Sequence, residues 1–475
     1  MPTMATTGGE SNKQLNVVMF PLFAMGHITP FLHLANRLAA RGHRISFLLP
    51  TRTIPKLTNL IINTHADLIT FHPITVPHVQ GLPPGAELIA DVPPHLAGHI
   101  FAAMDATEDQ FTSILRGVSP DIVIFDAAPW VSRAARELGC VPVSYGTSSA
   151  VWAAMRIVPS ARIVKEMTDE ELGRTPPGYP SSAVIPRPDE IAGARLFAME
   201  FGPSSLYERI VSVIQGSEAI AMRSCRELEG KYLDYLGEQH GKRVLLTGPV
   251  LPKLDGLGLD EKLGCWLSKF EPGSVVYCAF GSEVVLHKDQ FQELLRGLEQ
   301  CGRPFLTALK PPHGCKTVEE ALPEGFKERV IIKEGRGMVH EGWVQQPQIL
   351  GHPSVGCFVS HCGFGSMWEA LLSDCQILLI PNISEQILCT IFMVKELRLA
   401  LEVDKDENGW ISKEEVCRAV GAVMDEDSDV GKEVRRNHLK LREVLGDDDL
   451  LDKYVDDFVA QLRTLLPCGD EIRHE

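Results

Sequence analysis

Short runs of apolar residues recur along the chain and alternate with segments whose apolar residues follow helical spacing. The runs "NVVMFPL" (16–22) and "RISFLLP" (44–50) predict buried strands, and "ITPFLHLANRLAARGH" between them predicts a helix that stops near Gly42. Strand, helix and strand in about 35 residues form a βαβ unit. The pattern returns in "DIVIFDA" (121–127), "VSRAARELG" and "VPVSYGT" (141–147). These segments predict a parallel sheet that helices cover on both faces.

The same alternation begins again after a polar segment rich in Gly and Pro. That segment, "GPVLPKLDGLGLDEK" (248–262), predicts a linker. Further strands are predicted at 274–282, 303–309, 355–361 and 376–381, and helices near 288–302 and 367–374. We therefore expect an α/β fold of two Rossmann-like parallel-sheet domains that face a cleft, with residues 1–249 in the first domain and 250–449 in the second. Residues 157–205 are rich in Pro and predict an irregular insertion.

Composition and charge narrow the function classes. The chain has 475 residues and a net charge of −16, from 46 basic and 62 acidic residues, without a basic cluster. This balance argues against nucleic-acid binding, which needs a phosphate-neutralising surface. The twelve cysteines are scattered without a Cys-x-x-Cys pair, which is typical of thiols in a reducing compartment. No signal-peptide pattern and no apolar run long enough for a membrane span is present, so we expect a cytoplasmic protein.

The stretch "HCGFGSMWEA" predicts a turn that holds phosphate. His361 ends an apolar strand and Ser366 begins an apparent helix, so 362–366 is read as a strand-to-helix turn. Unpaired N–H groups at such a turn attract phosphate, and His361 and Ser366 can donate to it. Gly363 and Gly365 carry no Cβ atom that would hold a diphosphate away.

The residues around this turn can recognise the rest of a nucleotide sugar. Trp343 offers a flat face for a uracil ring, and Gln346 and Glu369 offer hydrogen-bond partners for ribose. Glu385 and Gln386 offer acceptors and a donor for sugar hydroxyls.

The segment from Trp343 to Gln386 resembles the signature box of plant secondary-product UDP-dependent glycosyltransferases. The resemblance rests on the Trp-x-x-Gln start, the His-Cys-Gly, the Ser, the Glu three residues later and the final acidic-Gln pair. It implies the GT-B architecture, a UDP-sugar as co-substrate, no metal, and a closing helix over 450–475 that crosses back to the first domain. The UDP-sugar site that it implies comprises Ser282, Trp343, Val344, Gln346, His361, Gly363, Gly365, Ser366, Glu369, Glu385 and Gln386.

Two positions depart from the usual box and bear on the substrates. Phe364-Gly365 stands where Trp-Asn is common, and Glu385 replaces an Asp. The Phe-Gly pair resembles the branch that adds a sugar to an existing glycoside, such as a flavonoid or terpenoid glycoside. UDP-glucose is the expected donor, while UDP-xylose and UDP-rhamnose stay open. Transfer of glucose to an aglycone hydroxyl is the alternative, and a non-catalytic nucleotide-sugar-binding protein is a further one.

Two segments resemble metal-binding motifs, but their sequence context argues against a bound metal. His361 and Cys362 are adjacent and lack a second pair at ligand spacing, so zinc is not expected. "DKDENGWISKEE" (404–415) matches the EF-hand loop, but an apparent strand precedes it and no partner loop exists. We expect a turn there, followed by a helix that begins with a capping box of Ser412 and Glu415.

A histidine and an aspartate predict the catalytic chemistry. His27 follows the first strand, and Asp126 ends the strand "DIVIFD". Alone, either residue is better explained as a cap; together they resemble the family's dyad, with His27 as general base and Asp126 holding its Nδ1. The implied reaction is a direct displacement that inverts the anomeric carbon. Acceptor contacts are expected from Phe23, Trp130 and Thr147 and from the segments 71–101, 127–152 and 195–202, and the chain is expected to be a monomer.

Overall fold

A first parallel sheet occupies the amino-terminal half of the chain. The computed structural model describes residues 14–57, 63–201, 204–251, 258–281 and 284–467. The strands of this sheet lie in the order β3-β2-β1-β4-β5-β6-β7, and every pairing is parallel. Their bounds are β1 Asn16–Phe20, β2 Arg44–Pro50, β3 Ile69–Ile74, β4 Ile122–Phe125, β5 Val141–Gly146, β6 Ala219–Met222 and β7 Val244–Leu246.

A second parallel sheet follows in the carboxy-terminal half. Its strands lie in the order β10-β9-β8-β11-β12-β13, again with parallel pairing throughout. Their bounds are β8 Val275–Ala279, β9 Phe305–Leu309, β10 Gly337–Glu341, β11 Val355–Ser360, β12 Gln376–Leu379 and β13 Ala400–Glu402. Strands β8, β9 and β12 are mainly apolar and are buried along their whole length, as expected where helices cover both faces of a sheet. The predicted pair of Rossmann-like sheets is confirmed.

Helices connect the strands of each sheet. Those of the first half are α1 Met25–Ala39, α2 Ile54–Leu57, α3 Ala97–Asp105, α4 Glu108–Val118, α5 Val131–Glu137, α6 Ala150–Arg156, α7 Asp169–Leu172, α8 Pro188–Ala194, α9 Leu206–Gly216 and α10 Arg226–His240. Those of the second half are α11 Glu261–Leu267, α12 Lys288–Gln300, α13 Gln346–Leu350, α14 Phe364–Leu371, α15 Ser384–Ile391, α16 Lys413–Met424, α17 Asp429–Leu445 and α18 Asp448–Arg463. No helix in the described ranges has both the length and the apolar content that crossing a bilayer requires.

Strand order reverses once in each sheet, and these two points position the site. In the first sheet, β1 and β4 are neighbours, and the strand that follows each of them in sequence lies on the opposite side of the pair. Phe20 pairs with Phe125 at their carboxyl ends. In the second sheet, β8 and β11 are arranged in the same way, and Ala279 pairs with Ser360. Ligands of open α/β sheets bind in the crevice at such points.

The last helix returns to the first half of the chain. Arg37 of α1 donates from Nη1 to Asp452 Oδ1 at 3.2 Å, and Arg41 donates from Nε to Asp456 Oδ1 at 2.5 Å. The backbone N–H of Arg226 donates to the Tyr454 hydroxyl at 2.9 Å. Helix α18 therefore packs against the first sheet's layer, although it follows the second sheet in sequence. The predicted linker lies partly outside the described residues (252–257), as does the end of the predicted closing helix (468–475).

Candidate active site

The pair predicted from sequence meets at the end of the first sheet. His27 lies in the first turn of α1, directly after the loop that follows β1, and Asp126 follows β4. Nδ1 of His27 lies 2.5 Å from Oδ2 of Asp126. The other carboxylate oxygen, Oδ1, accepts a hydrogen bond of 2.6 Å from the backbone N–H of Leu22. Asp126 therefore holds both the imidazole ring and the loop that carries it.

The surroundings of this pair favour a base that faces the cleft. The His27 side chain is 36 % exposed, whereas that of Asp126 is 8 % exposed. Thr147, which follows β5, places its Oγ1 3.3 Å from the same Nδ1 atom. Because the carboxylate engages Nδ1, the other ring nitrogen, Nε2, is the one left to accept a proton. Thr147, predicted as an acceptor contact, thus lies beside the pair itself.

The other two predicted acceptor contacts face the interior of the first domain. Phe23 is 0 % exposed, and its ring packs edge-on against Phe20. Trp130 packs against Phe20 and Phe111, and its indole N–H donates to Asp105 Oδ1 at 3.0 Å. Both rings therefore already have packing partners within the first domain.

The phosphate-binding turn predicted from sequence lies at the end of β11. Cys362 has a φ angle of 62°, a left-handed conformation that is unusual for a residue with a Cβ atom. Helix α14 begins at Phe364, with Gly363 as its N-cap, so the prediction that Ser366 begins the helix is wrong by two residues. The first helical hydrogen bond runs from Met367 N–H to Gly363 O, which leaves the N–H groups of residues 364–366 directed outward from the helix end.

His361 packs between two glycines beside this turn. A Cβ atom on Gly363 would lie 2.4 Å from its Nε2, and one on Gly281 would lie 3.0 Å from the same atom. The ring is 8 % exposed, and its Nδ1 has no hydrogen-bond partner among the described residues. Burial lowers the pKa of His361 to about 4. The imidazole is therefore neutral at pH 7 and offers a phosphate one N–H donor without a positive charge.

Gln346 connects the two segments predicted to contact the nucleoside. Its Nε2 donates to Ser366 Oγ at 2.9 Å and to Glu369 Oε2 at 2.7 Å. Its Oε1 accepts from the hydroxyl of Tyr277 at 3.2 Å. Burial raises the pKa of Glu369, while the bond from Gln346 acts in the opposite direction. The first residue of α13 and the first two turns of α14 thus form one polar surface.

The remaining predicted donor contacts flank that surface. Trp343 is 74 % exposed, a value unusual for this ring, and Val344 beside it is buried at 8 %. Gln386 is buried, and its Oε1 accepts from the backbone N–H of Asn382 at 3.0 Å, so its amide nitrogen is the group left to donate to a sugar. Glu385 precedes it in the first turn of α15. The predicted contact Ser282 lies outside the described residues.

A buried ion pair that the sequence did not reveal supports the start of α15. Arg156 Nε donates to Glu190 Oε1 at 3.0 Å, and the two side chains are 2 % and 0 % exposed. Ser384, the first residue of α15, donates from Oγ to the same Glu190 oxygen at 2.6 Å. Glu190 belongs to the predicted insertion, so the insertion contacts the helix that carries Glu385 and Gln386. Glu190 gave no sequence signal because no local motif marks it.

The EF-hand-like loop uses its acidic groups internally. Asp404 accepts from Arg418 Nη2 at 2.5 Å, and Asp406 Oδ1 accepts from the backbone N–H groups of Asn408 and Trp410. Ser412 caps α16 by accepting from Glu415 N–H at 3.2 Å, which is the Ser412 half of the predicted capping box. The Glu415 carboxylate pairs with Arg418.

The chain matches two family models over part of each half, and curated relatives over nearly its whole length. Residues 268–448 match the model described as "UDP-glucoronosyl and UDP-glucosyl transferase", and residues 13–172 match "Glycosyltransferase, N-terminal domain". Anthocyanidin 3-O-glucoside 2'''-O-xylosyltransferase of Arabidopsis thaliana is 48 % identical over 471 residues, which are 98 % of this chain and 100 % of that protein. The chain belongs to the UDP-dependent glycosyltransferases. UDP-glycosyltransferase 79B9 of the same plant is 48 % identical over 455 residues, 96 % of this glycosyltransferase and 98 % of the relative.

Solved structures agree on the architecture of this glycosyltransferase. UGT73P12 of Glycyrrhiza uralensis, solved with glycyrrhetinic acid 3-O-monoglucuronide, superposes with a TM-score of 0.78 at 22 % identity, over 95 % of this chain and 96 % of that one. UGT89C1 of Arabidopsis thaliana superposes with a TM-score of 0.72, also at 22 % identity, over 95 % of this chain and 100 % of that one. The predicted GT-B fold is confirmed, and so is the prediction of a UDP-sugar-dependent transferase.

Proposed function

We propose that this glycosyltransferase moves a neutral hexose or pentose from its UDP-sugar onto a hydroxyl of a sugar that a small molecule already carries. The observation that carries the chemistry is the 2.5 Å contact between His27 Nδ1 and Asp126 at the end of the first sheet. It supports a general base with a fixed tautomer. Residues 1–249 with the closing helix bind the acceptor, and residues 250–449 bind the UDP-sugar.

The reaction needs two matched changes in bonding. Nε2 of His27 takes the proton of the acceptor hydroxyl as its oxygen bonds to the anomeric carbon, and Asp126 stabilises the imidazolium that results. The bond from the anomeric carbon to the β-phosphate oxygen breaks on the opposite face, so configuration inverts. The outward N–H groups of residues 364–366 stabilise the charge that grows on the diphosphate.

The donor is held at three places along the second domain. Trp343 stacks on uracil, Gln346 and Glu369 bind ribose, and Glu385 with Gln386 binds sugar hydroxyls. The carboxylate of Glu385 disfavours an acidic sugar, which supports a neutral one such as glucose, xylose or rhamnose.

The choice of a glycoside acceptor rests on relatives and on the departures in the box. The 48 % identical relative is named as a xylosyltransferase that acts on an anthocyanidin 3-O-glucoside. Gly365 and Glu385, which differ from the usual box, lie at the ends of α14 and α15 that would face the transferred sugar. A flavonoid-type monoglycoside is therefore the acceptor class that we propose.

One assay tests donor and acceptor together. UDP-glucose, UDP-xylose and UDP-rhamnose are each combined with flavonoid aglycones and with their monoglucosides, and products are read by mass. We expect one donor to give a diglycoside from the monoglucosides. Exclusive transfer to free aglycones would contradict the proposal.

A second experiment tests the base. His27→Ala should lower kcat by about 10²- to 10⁴-fold, with little change in affinity for UDP. His352→Ala is the matched control, because His352 lies just before the amino end of β11, whereas the proposed site lies at the carboxyl end of that strand. Unchanged turnover by the His27 variant would remove this residue from the mechanism.

We further propose that the enzyme works as a monomer in the reducing cytoplasm. Buried thiols such as Cys140, Cys225 and Cys375 fit that compartment, and the groups that bind donor and acceptor all come from one chain. Light scattering on the purified enzyme, together with imaging of a fluorescent fusion, tests both statements.

A further inference from the structure

A buried arginine of the first domain borders the donor-binding helix of the second. Arg223 follows β6 and is 2 % exposed. A Cβ atom on Gly365, in the first turn of α14, would lie 3.6 Å from Arg223 Nη1, which is an ordinary van der Waals distance. The guanidinium therefore lies beside the helix end at the position where Gly365 carries no side chain.

Among the described residues, Arg223 lacks the carboxylate partner that two other buried arginines have. Arg156 and Arg209 are equally buried, and each pairs with a carboxylate, of Glu190 and Asp105 respectively. Within the described ranges, the guanidinium of Arg223 donates one hydrogen bond, from Nε to Pro249 O at 2.6 Å, and forms no ion pair. A buried cation is costly without a counter-charge and partners for its other donors.

The described groups around the guanidinium supply no paired negative charge. Glu369 influences Arg223 only at longer range and forms no ion pair with it. His33 contributes no negative charge, since burial and then the Arg223 charge lower the pKa of its imidazole to about 3. Burial lowers the pKa of Arg223 as well, but a guanidinium stays charged at neutral pH.

We propose that Arg223 binds the β-phosphate of the UDP-sugar, an inference that rests on the proposed donor orientation. Ribose at Gln346 and Glu369 places the nucleoside beside the second turn of α14. Ser366 precedes Glu369 by one turn and meets the first phosphate, so the second phosphate lies nearer to Gly365. As the bond to the anomeric carbon breaks, its electron pair remains on the β-phosphate oxygen, and the guanidinium stabilises that charge from the first domain.

Paired ligands test this assignment without any acceptor or turnover. Binding of UDP and of UMP is measured by calorimetry for the wild-type enzyme, Arg223→Gln and Arg223→Lys. UDP affinity should fall about 10- to 100-fold in Arg223→Gln and less in Arg223→Lys, because a charge-assisted contact is lost or shortened. UMP lacks the β-phosphate, so its affinity should change less than about 2-fold.

Arg226→Gln is the control, since Arg226 lies three residues further along, is 57 % exposed and pairs with Asp234. The melting temperature of each variant is measured first. Only an Arg223 variant that keeps the wild-type melting temperature is used to judge the change in affinity. Equal loss of UDP and UMP affinity, or failure of both variants to fold, would show that Arg223 acts structurally. Unchanged affinity for both nucleotides would show that Arg223 does not contact the β-phosphate. If wild-type enzyme binds neither nucleotide, the proposed function fails instead.

Discussion

At the turn between β11 and α14, the space around single atoms decides whether a diphosphate fits. Gly363 was predicted to admit the phosphate, but its missing Cβ atom also makes room for the ring of His361, whose Nε2 would lie 2.4 Å away. The left-handed backbone of Cys362 directs the chain into this arrangement. Residue identity here serves the packing of a neutral histidine as well as the ligand.

Gly363→Ala should therefore weaken UDP binding through His361. The added methyl group is far too close to the imidazole, so the ring must move away from the helix end. We expect UDP affinity to fall at least about 10-fold by calorimetry. Gly421→Ala is the control, because a Cβ atom on Gly421 has nothing within 4 Å, and UDP affinity should not change. Equal affinities of the Gly363 variant and the wild type would count against this role of the glycine.

Trp343 is the second residue whose environment makes a prediction. Its ring is 74 % exposed and can stack on a base. Such stacking stabilises a bound nucleotide by about 1–3 kcal/mol. Trp343→Ala should therefore raise the KM for the UDP-sugar with little change in kcat, and Trp343→Phe should restore part of the affinity. Trp410→Ala, at another exposed tryptophan, should leave both constants unchanged. An unaltered KM in Trp343→Ala would mean that uracil binds elsewhere.

At the scale of elements, the helix ends at the cleft are held by contacts between the two halves of the chain. Helix α8 packs on α15, and Arg187 Nη1 donates to Glu402 Oε2 at 2.7 Å beside it. Ser181 and Tyr232 both donate to Glu396 Oε2, at 2.5 and 2.8 Å. The irregular insertion thus connects the two halves of the chain beside α15, the helix that carries Glu385 and Gln386.

The Arg156–Glu190 pair should be the most sensitive part of that connection. Glu190→Ala leaves a buried guanidinium without its carboxylate and Ser384 without its acceptor, so the free energy of unfolding should fall by about 3–5 kcal/mol. Urea denaturation measures the change. Glu170→Ala breaks an exposed pair with Arg174 and should have no effect beyond error. Similar stabilities of the two variants would show that Glu190 is not structural.

At the scale of the whole molecule, the balance of buried histidines and buried acids sets the response to pH. Burial lowers the pKa of His33 to about 3 and those of His43, His240 and His361 to about 4. The unfolded chain therefore binds more protons than the folded one between about pH 6.5 and 4. Buried Glu229 and Glu369, whose pKa values are raised, act with the opposite sign. The larger set of histidines should dominate.

We expect the melting temperature to fall as pH is lowered from 6.5 toward 4. His43→Asn should flatten this dependence, by on the order of 1 kcal/mol per pH unit in that window, because it keeps an acceptor for the Leu15 N–H but does not titrate. Differential scanning calorimetry of both proteins across the range provides the measurement. A parallel pH dependence in the two proteins would refute the assignment to His43.

Local pattern predicted much of this fold. Strand β2 (Arg44–Pro50) has the predicted bounds, and helix α16 (Lys413–Met424) begins at the predicted Ser412 cap, since an apolar run and a Ser cap mark them within a few residues. Helix α14 begins earlier than predicted, because the buried ring of Phe364 packs on Trp368 and outweighs the weak helix propensity of the flanking glycines. Strand β7 (Val244–Leu246) was missed, since three residues carry no periodicity.

The sequence by itself determined the class of fold, the family and the two segments to which we assign the chemistry, because these depend on periodicity and on motif spacing within short windows. The tertiary structure decided which residues those segments contact. Asp126 reaches His27 across 99 positions because parallel strands converge at one sheet edge. Burial makes the imidazole of His361 neutral at pH 7 and leaves Arg223, beside Gly365, without a paired carboxylate among the described residues. Burial depends on every element packed around these side chains and not on local sequence.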